Sequence, residues 1–263
     1  PIIFKKNNLQ NAAESWGTVA LLGKKSADSI LDHVMLSGGS GSRHNQFLFS
    51  SMLSIHNTSN VQITNIDLSK NKKFDDVLHI VYCNDLLLEN IRISNAFSDA
   101  IDIDVSKNII IKNIQIESPV NDGLDFMETT AVLHNVMVSN SKDKGVSIGE
   151  NSNIIINDSD FSNNNIGIAI KDKSKAKIYN SNLINNKVQI AAYAKNWKYG
   201  DGGSIEIYDS NLNSRINTFT TLRDPDDINL KTNKNLNQNS KISIFNSRIN
   251  GRLKFNGKNI SIK

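Results

Sequence analysis

Asn90-Ile91-Arg92-Ile93, Asn113-Ile114-Gln115-Ile116 and Asn135-Val136-Met137-Val138 repeat one short pattern, a polar residue with an apolar one three positions on. The pattern begins earlier, at Asn65-Ile66-Asp67-Leu68. It continues as Asp158-Ser159-Asp160-Phe161, Asn180-Ser181-Asn182-Leu183, Asp209-Ser210-Asn211-Leu212 and Asn246-Ser247-Arg248-Ile249. Successive copies lie 25, 23, 22, 23, 22, 29 and 37 residues apart. A fixed period of this size marks a structure built from stacked identical units.

Two further apolar runs keep the same period. One is Val77-Leu78-His79-Ile80, Ala100-Ile101-Asp102-Ile103, Gly123-Leu124-Asp125-Phe126, Gly145-Val146-Ser147-Ile148 and Gly167-Ile168-Ala169-Ile170. The other precedes the Asn motif, as in Asn108-Ile109-Ile110-Ile111 and Asn153-Ile154-Ile155-Ile156. Apolar residues alternate with period two and are mostly β-branched, which argues for strands and against amphipathic helices. Three strands per unit, separated by Asn, Gly, Ser and Asp turns, predict an all-β, single-domain, right-handed parallel β-helix of about 22 residues per rung. One rung cannot bury its apolar side, but rungs stacked about 4.8 Å apart bury a continuous Ile/Leu/Val column. Inward Asn residues at matching turns are expected to form hydrogen-bonded ladders.

Composition agrees with that architecture. Hydrophobic residues make up 38% of the 263 but aromatics only 6%, so the core must be aliphatic. Proline is confined to Pro1, Pro119 and Pro225. Thirty basic residues against 26 acidic ones leave a formal charge of +4, read as an excess spread along the chain. Without a basic stripe or a recognisable module, nucleic acid is not an expected partner. Mild basicity is compatible with a mixed solvated surface or with a preference for anionic glycans. Cys83, the single cysteine, is expected as a small core or rung residue. No stretch of 18 apolar residues exists, so no membrane span is expected. There is no visible signal peptide, and the start at Pro1-Ile2-Ile3-Phe4 reads as part of a longer parent chain with other domains.

The period divides the chain into irregular N-terminal rungs over 1–50, regular rungs over 51–216, a polar loop insertion over 217–240 and a terminal rung over 241–263. The early section holds Trp16-Gly17-Thr18-Val19-Ala20 and Ser37-Gly38-Gly39-Ser40-Gly41. Residues 191–203 lengthen one rung, and the later insertion contains Arg223-Asp224-Pro225-Asp226-Asp227. Long polar insertions in a solenoid cover one face, where binding often occurs.

If Ile101, Ile103, Leu124 and Phe126 point inward, their neighbours point outward. Stacking then gives one outward column of His79, Asp102, Asp125, Ser147 and Ala169. A second column holds Val81, Asp104, Met127, Gly149 and Lys171. Asp75, Asp76, Asp99, Asp122 and Lys144 stand at the preceding turn; Glu128, Glu150 and Asp172 follow. Carboxylates two apart on a strand are about 7 Å apart, and those on adjacent rungs about 5 Å. Such separations suit the paired carboxylates of glycoside hydrolysis. Like charges so close raise at least one pKa and provide an acid. Alternatively, Asp102, Asp104 and Asp125 take a hard cation such as Ca²⁺, although nothing in the sequence requires a cofactor. Asp99 and Asp122 can equally serve as turn caps. Asp102, Asp104 and Asp125 fit that structural role poorly, because Asp is disfavoured within strands. His79 and Lys144 flank the patch as candidate acid or base, or stand as exposed rung residues. Tyr193, Trp197 and Tyr199 are read as aromatics of the Gly-rich loop, stacking on a sugar ring or packing over the solenoid edge.

These motifs resemble the pectin-lyase-like β-helix superfamily. Their order is similar to that of polygalacturonase-type glycoside hydrolases at Ser98-Asp99-Ala100-Ile101-Asp102, Asn121-Asp122, Asp143-Lys144-Gly145-Val146-Ser147-Ile148-Gly149 and Ala169-Ile170-Lys171. The chain departs from that pattern where the family has paired aspartates, a His and an Arg; here Asn121-Asp122, Lys144 and Ala169 stand instead. A closer resemblance is to the β-helical regions that accompany bacterial CotH-like (spore-coat-kinase-like) proteins. It rests on Trp16-Gly17, Ser98-Asp99-Ala100, Asn121-Asp122-Gly123, Asp143–Glu150 and Lys171-Asp172. The resemblance implies a bacterial, extracellular or cell-surface setting. Two functions follow as expectations. One is action on a polysaccharide, acidic or hydroxylated, of hydrolase, lyase or epimerase type. Its catalytic candidates are His79, Asp99, Asp102, Asp104, Asp122, Asp125, Lys144 and Lys171, with Glu128, Glu150, Tyr193, Trp197 and Tyr199 as substrate contacts. The other is a non-catalytic glycan-binding or structural module of a larger surface protein, stabilised by Ca²⁺.

Overall fold

The computed structural model describes residues 1–6, 15–222 and 239–263. One sheet of 24 strands runs through them, all its pairings parallel, and each strand pairs with its counterpart one rung away. Leu78–Val81, Ile101–Asp104, Leu124–Met127, Lys144–Gly149, Ile166–Lys171 and Val188–Tyr193 stack in register as one face. The fold is a right-handed parallel β-helix, as the repeat predicts.

The other two sides of a rung are continuous in the middle of the solenoid. Asn84–Ser94, Lys107–Glu117 and Thr130–Ser139 each turn a corner without leaving the strand. At that corner stand Asn65, Asn90, Asn113 and Asn135, with φ of 54°, 55°, 53° and 54°. Asp158, Asn180, Asp209 and Asn246 adopt the same conformation in later rungs. Asn and Asp tolerate the left-handed region better than other non-glycine residues, and this explains their place at the head of every repeat. The Asn ladder exists, but outside: Asn90 Nδ2 donates to Asn65 Oδ1 (3.0 Å), Asn113 to Asn90 (3.1 Å) and Asn135 to Asn113 (2.9 Å), all exposed. At the heads of the repeats the ladder is outside because a left-handed corner points this side chain to solvent; the expected inward Asn contacts between rungs occur at a different corner, where Asn186 Oδ1 accepts the Asn164 N–H at 3.0 Å. Inside, hydroxyls dominate: Ser106, Thr129, Ser152 and Ser174 accept backbone N–H bonds from the preceding rung. Asn164 and Asn186 do so at a third corner. Cys83 is fully buried at the head of the hydroxyl column.

The core is aliphatic, with Ile101, Ile103, Leu124, Val146, Ile148, Ile168 and Ile170 fully buried and Phe126 among them. Gly123, Gly145 and Gly167 begin successive rungs where no side chain fits. A Cβ on Gly145 would lie 2.6 Å from the Gly167 carbonyl oxygen.

Two boundaries differ from the sequence reading. Within 1–50, Ile2–Lys5, Val19–Leu22 and Ile30–Asp32 already pair in register with later rungs. The irregular part is an antiparallel hairpin of Ser42–His44 and Phe47–Phe49. Residues 217–220, assigned to the insertion, end the strand Asn211–Thr220, because Phe219 enters the core and pairs with Phe255. Arg223-Asp224-Pro225-Asp226-Asp227 lies outside the described residues. The basic excess is also not spread. Lys241, Arg248, Arg252, Lys254, Lys258 and Lys263 are exposed in a segment 241–263 without one acid. Residues 1–240 therefore carry 24 basic and 26 acidic residues.

Candidate functional site

The alternation along Ile101–Asp104 and Leu124–Met127 buries every first and third residue and leaves the second and fourth half-exposed. Asp102, Asp104 and Asp125 are therefore outward on one face. Register makes Ser54, His79, Asp102, Asp125, Ser147, Ala169 and Ala191 one column. Beside it run His56, Val81, Asp104, Met127 and Gly149, with Lys171 paired to Tyr193 further along. Asp76, Asp99, Asp122 and Lys144 lead into the same strands, bonded rung to rung through Val77 N–H to Asp99 O, Ala100 N–H to Asp122 O and Gly123 N–H to Lys144 O.

The face is bounded at both ends. The hairpin packs Phe49 against His56, with ring centroids 5.2 Å apart, and His56 meets His79 edge-on at 4.9 Å. At the other end the segment after Val188–Tyr193 folds back, and Tyr199 Oη donates to Glu128 Oε1 at 2.5 Å. Asp172 Oδ1 anchors that segment by accepting the N–H groups of Lys195 (2.6 Å) and Asn196 (2.8 Å). Trp197, 68% exposed, stands on it. The corner that closes this side is left-handed in every rung: Val105, Glu128, Glu150 and Asp172 have φ of 45°, 48°, 49° and 53°. Val105 is β-branched and strained there.

The acids divide by what they touch. Asp99 Oδ1 accepts the Asp122 N–H at 2.7 Å, and Asp122 Oδ1 accepts the Lys144 N–H at 2.9 Å. These two caps, read from sequence as turn residues or site residues, are buried and do the backbone work. Burial nevertheless raises Asp99 to about 6 and Asp122 to about 7. Asp76 is 2% exposed; burial first, then Asp75 and Asp99, push it up to about 8. Asp102 is pushed up to about 10 by burial and by Asp104, Asp76 and Asp125. At neutral pH such a cluster must hold protons or a cation. Asp75, Asp76 and Asp99 bring carboxylate oxygens within 4.8 Å of one another, as do His79, Asp102 and Asp104 for their ligand atoms. Asp125, grouped from sequence with Asp102 and Asp104, belongs to neither set: it sits one rung on, beside Ser147.

Lys144 is 5% exposed, not an exposed rung residue, and pairs with Asp143 and with Asp122 (3.4 Å). Asp122 does most to hold its ammonium protonated against burial. Lys171, 4% exposed, lies across Gly149, where a Cβ would meet its Cε at 3.1 Å. Burial opposes its charge and Asp125 most strongly restores it, so its pKa is raised. The face is thus acidic over the His79, Asp102 and Asp125 rungs and cationic over the next two. Glu150 is half-buried beside Lys171, and burial raises its pKa. Tyr193 is corrected: it ends a strand, 1% exposed, packed with Ile166, Ala169 and Ala191, because the strand runs two residues beyond the start of the expected loop. Sequence reasoning passed over His56 and Ser50 and left Asp76 as a turn residue. The alternation in Leu53-Ser54-Ile55-His56, one rung earlier, was the available signal.

Known proteins share the architecture. An alginate lyase from Paenibacillus sp. str. FPU-7 superposes with a TM-score of 0.62 at 11% identity, over 88% of this chain and 91% of that one. A GH87 alpha-1,3-glucanase catalytic domain in complex with tetrasaccharides gives 0.62 at 15% identity; 90% of this chain aligns with only 52% of the glucanase chain. A pectate lyase from Paenibacillus sp. 0602 gives 0.55 at 8% identity, over 78% of this chain and 68% of that one. At such identities the likeness shows the fold alone. No curated protein sequence matches significantly. Among the described residues no helix is long and apolar enough to cross a membrane. The family model described as "Right handed beta helix region" matches residues 51–220, well over half of the chain, and the protein belongs to that family.

Proposed function

We propose that this protein acts on an acidic polysaccharide laid along the face between the hairpin and the Trp197 segment. The observation that carries the reading is the ordered charge of that face: a carboxylate cluster followed, one and two rungs on, by two buried ammonium groups. Lys144 and Lys171 are held protonated by carboxylates, so they donate hydrogen bonds and neutralise a sugar carboxylate rather than act as bases. Asp125, beside Lys171 and in register with Asp102, faces the bond to be cleaved and serves as the proton-transfer group. Glu128, Glu150, Trp197 and Tyr199 border the sugar path, with Trp197 free to stack on a ring.

A hard cation fits the first acidic set. Asp76 Oδ1 is buried without a hydrogen-bond partner, and the donors of Asp75, Asp76 and Asp99 are all carboxylate oxygens, the chemistry Ca²⁺ takes. Bound there, it would neutralise the carboxylate of an acidic sugar. The superfamily resemblance, and the alginate and pectate lyases among the structural neighbours, support this substrate class. The likeness to regions beside CotH-like proteins supports a bacterial, extracellular or cell-surface setting within a longer parent chain.

Incubation with uronate polymers tests the proposal. New reducing ends, lost in Asp125→Asn and Lys171→Met, are expected. Ultraviolet absorbance of unsaturated ends identifies elimination, and reducing ends without it identify hydrolysis. Retention on the polymer without turnover establishes the alternative, a glycan-binding module. Neither cleavage nor binding of any acidic polymer overturns the reading.

A further inference from the structure

We propose that His79, Asp102 and Asp104 form a second metal site, distinct in chemistry from the all-carboxylate set, that takes a borderline divalent ion of the Zn²⁺ class. His79 Nε2 lies 3.5 Å from Asp104 Oδ2 and 3.9 Å from Asp102 Oδ2. Both separations are too long for hydrogen bonds, and Nε2 is buried without any partner. Two ligands about 2.1 Å from a shared tetrahedral metal stand about 3.4 Å apart, close to the shorter separation.

The far side of the ring is arranged as metal-bound imidazoles are. His79 Nδ1 lies 3.2 Å from Ser50 Oγ, and Ser50 Oγ donates to Asp76 Oδ2 at 3.1 Å. In that relay the Nδ1–H donates to Ser50, which leaves the Nε2 lone pair aimed at two carboxylates. A proton or a metal must lie between them, and a carboxylate relayed onto the distal nitrogen is what orients a ligand histidine.

His56 supplies an independent observation. Its side chain is 9% exposed, its Nε2 has no partner, and its ring stands against His79. One unpartnered imidazole nitrogen facing two carboxylates favours a borderline transition ion; Ca²⁺ takes oxygen ligands. The inference rests on the polysaccharide reading only for the purpose of the ion, since uptake is measurable without turnover.

The experiment titrates chelator-stripped full chain with Zn²⁺, Co²⁺ and Ca²⁺ by calorimetry, and records the visible spectrum with Co²⁺. One Zn²⁺ per chain and ligand-field bands from Co²⁺ are expected. His79→Gln should weaken Zn²⁺ about 100-fold with Ca²⁺ affinity little changed, and Ser50→Ala should weaken Zn²⁺ about 10-fold, the size of ligand-shell effects at metal sites. Circular dichroism establishes that each variant is folded, and Asp104→Asn serves if His79→Gln is not. Absence of Zn²⁺ uptake, or equal Zn²⁺ affinity in a folded His79→Gln variant, overturns the site. Failure of polymer cleavage with Zn²⁺ uptake intact overturns only the polysaccharide reading.

Discussion

Replacing Asp76 by Asn isolates the cost of gathering carboxylates on one face. Asp76 is 2% exposed, Oδ1 has no partner, and its pKa stands at about 8 against a reference of 3.8. Because the folded pKa is raised, its contribution is fully present below about pH 4 and is lost as pH rises through 8. The shift of about four units corresponds to at most about 6 kcal/mol; relaxation and water entry reduce this to about 1–3 kcal/mol. Asn keeps the shape and removes the charge. In chelator, wild type should lose melting temperature between pH 5 and pH 8.5, and Asp76→Asn should lose markedly less. At pH 8.5 the variant should be the more stable protein. Adding Ca²⁺ should reverse the order, since only wild type retains the full donor set. A variant less stable than wild type at pH 8.5 in chelator, or an offset equal at both pH values, would refute the reasoning.

Other expectations follow from packing and geometry. Phe126→Ala empties the centre of a rung and should cost about 3–5 kcal/mol in a urea melt. Val105→Asn, at φ 45°, should stabilise by about 0.5–1 kcal/mol, since Asn tolerates the left-handed corner; a loss of stability would contradict the strain. Lys144→Met leaves the buried Asp122 unpaired and should cost about 3–5 kcal/mol at pH 8, with much of it recovered at pH 5, where Asp122 takes up a proton. Tyr199→Phe removes one bond to Glu128 at an exposed site; it should leave the melting temperature nearly unchanged and weaken polymer binding in a retention assay.

The periodic strands were legible because each rung repeats the same local problem. Ile101 and Ile103 alternate with Asp102 and Asp104, and period two alone assigns inside and outside. That alternation also located the aspartate face. Asn at the head of each repeat was equally visible; the backbone needs a left-handed corner there, and the side-chain ladder is a surface consequence. Lys144 and Tyr193 were misplaced because burial on an outward face depends on what folds over it. Lys144 is enclosed among Asp122 and Asp143, and Tyr193 packs on Ala169 and Ala191, residues too small to cover themselves.

The sequence by itself determined the coil of stacked strands, its period and the side of each strand that faces out, since these follow from chirality, alternation and turn residues along the chain. Tertiary structure decided which outward groups meet. His79 reaches Asp104 rather than Asp125, Ser50 relays Asp76 to His79, and Tyr199 closes onto Glu128 from 71 residues away. Those contacts depend on rung-to-rung register, on corner angles and on two excursions from the coil, quantities that accumulate in space and leave no local pattern in the chain.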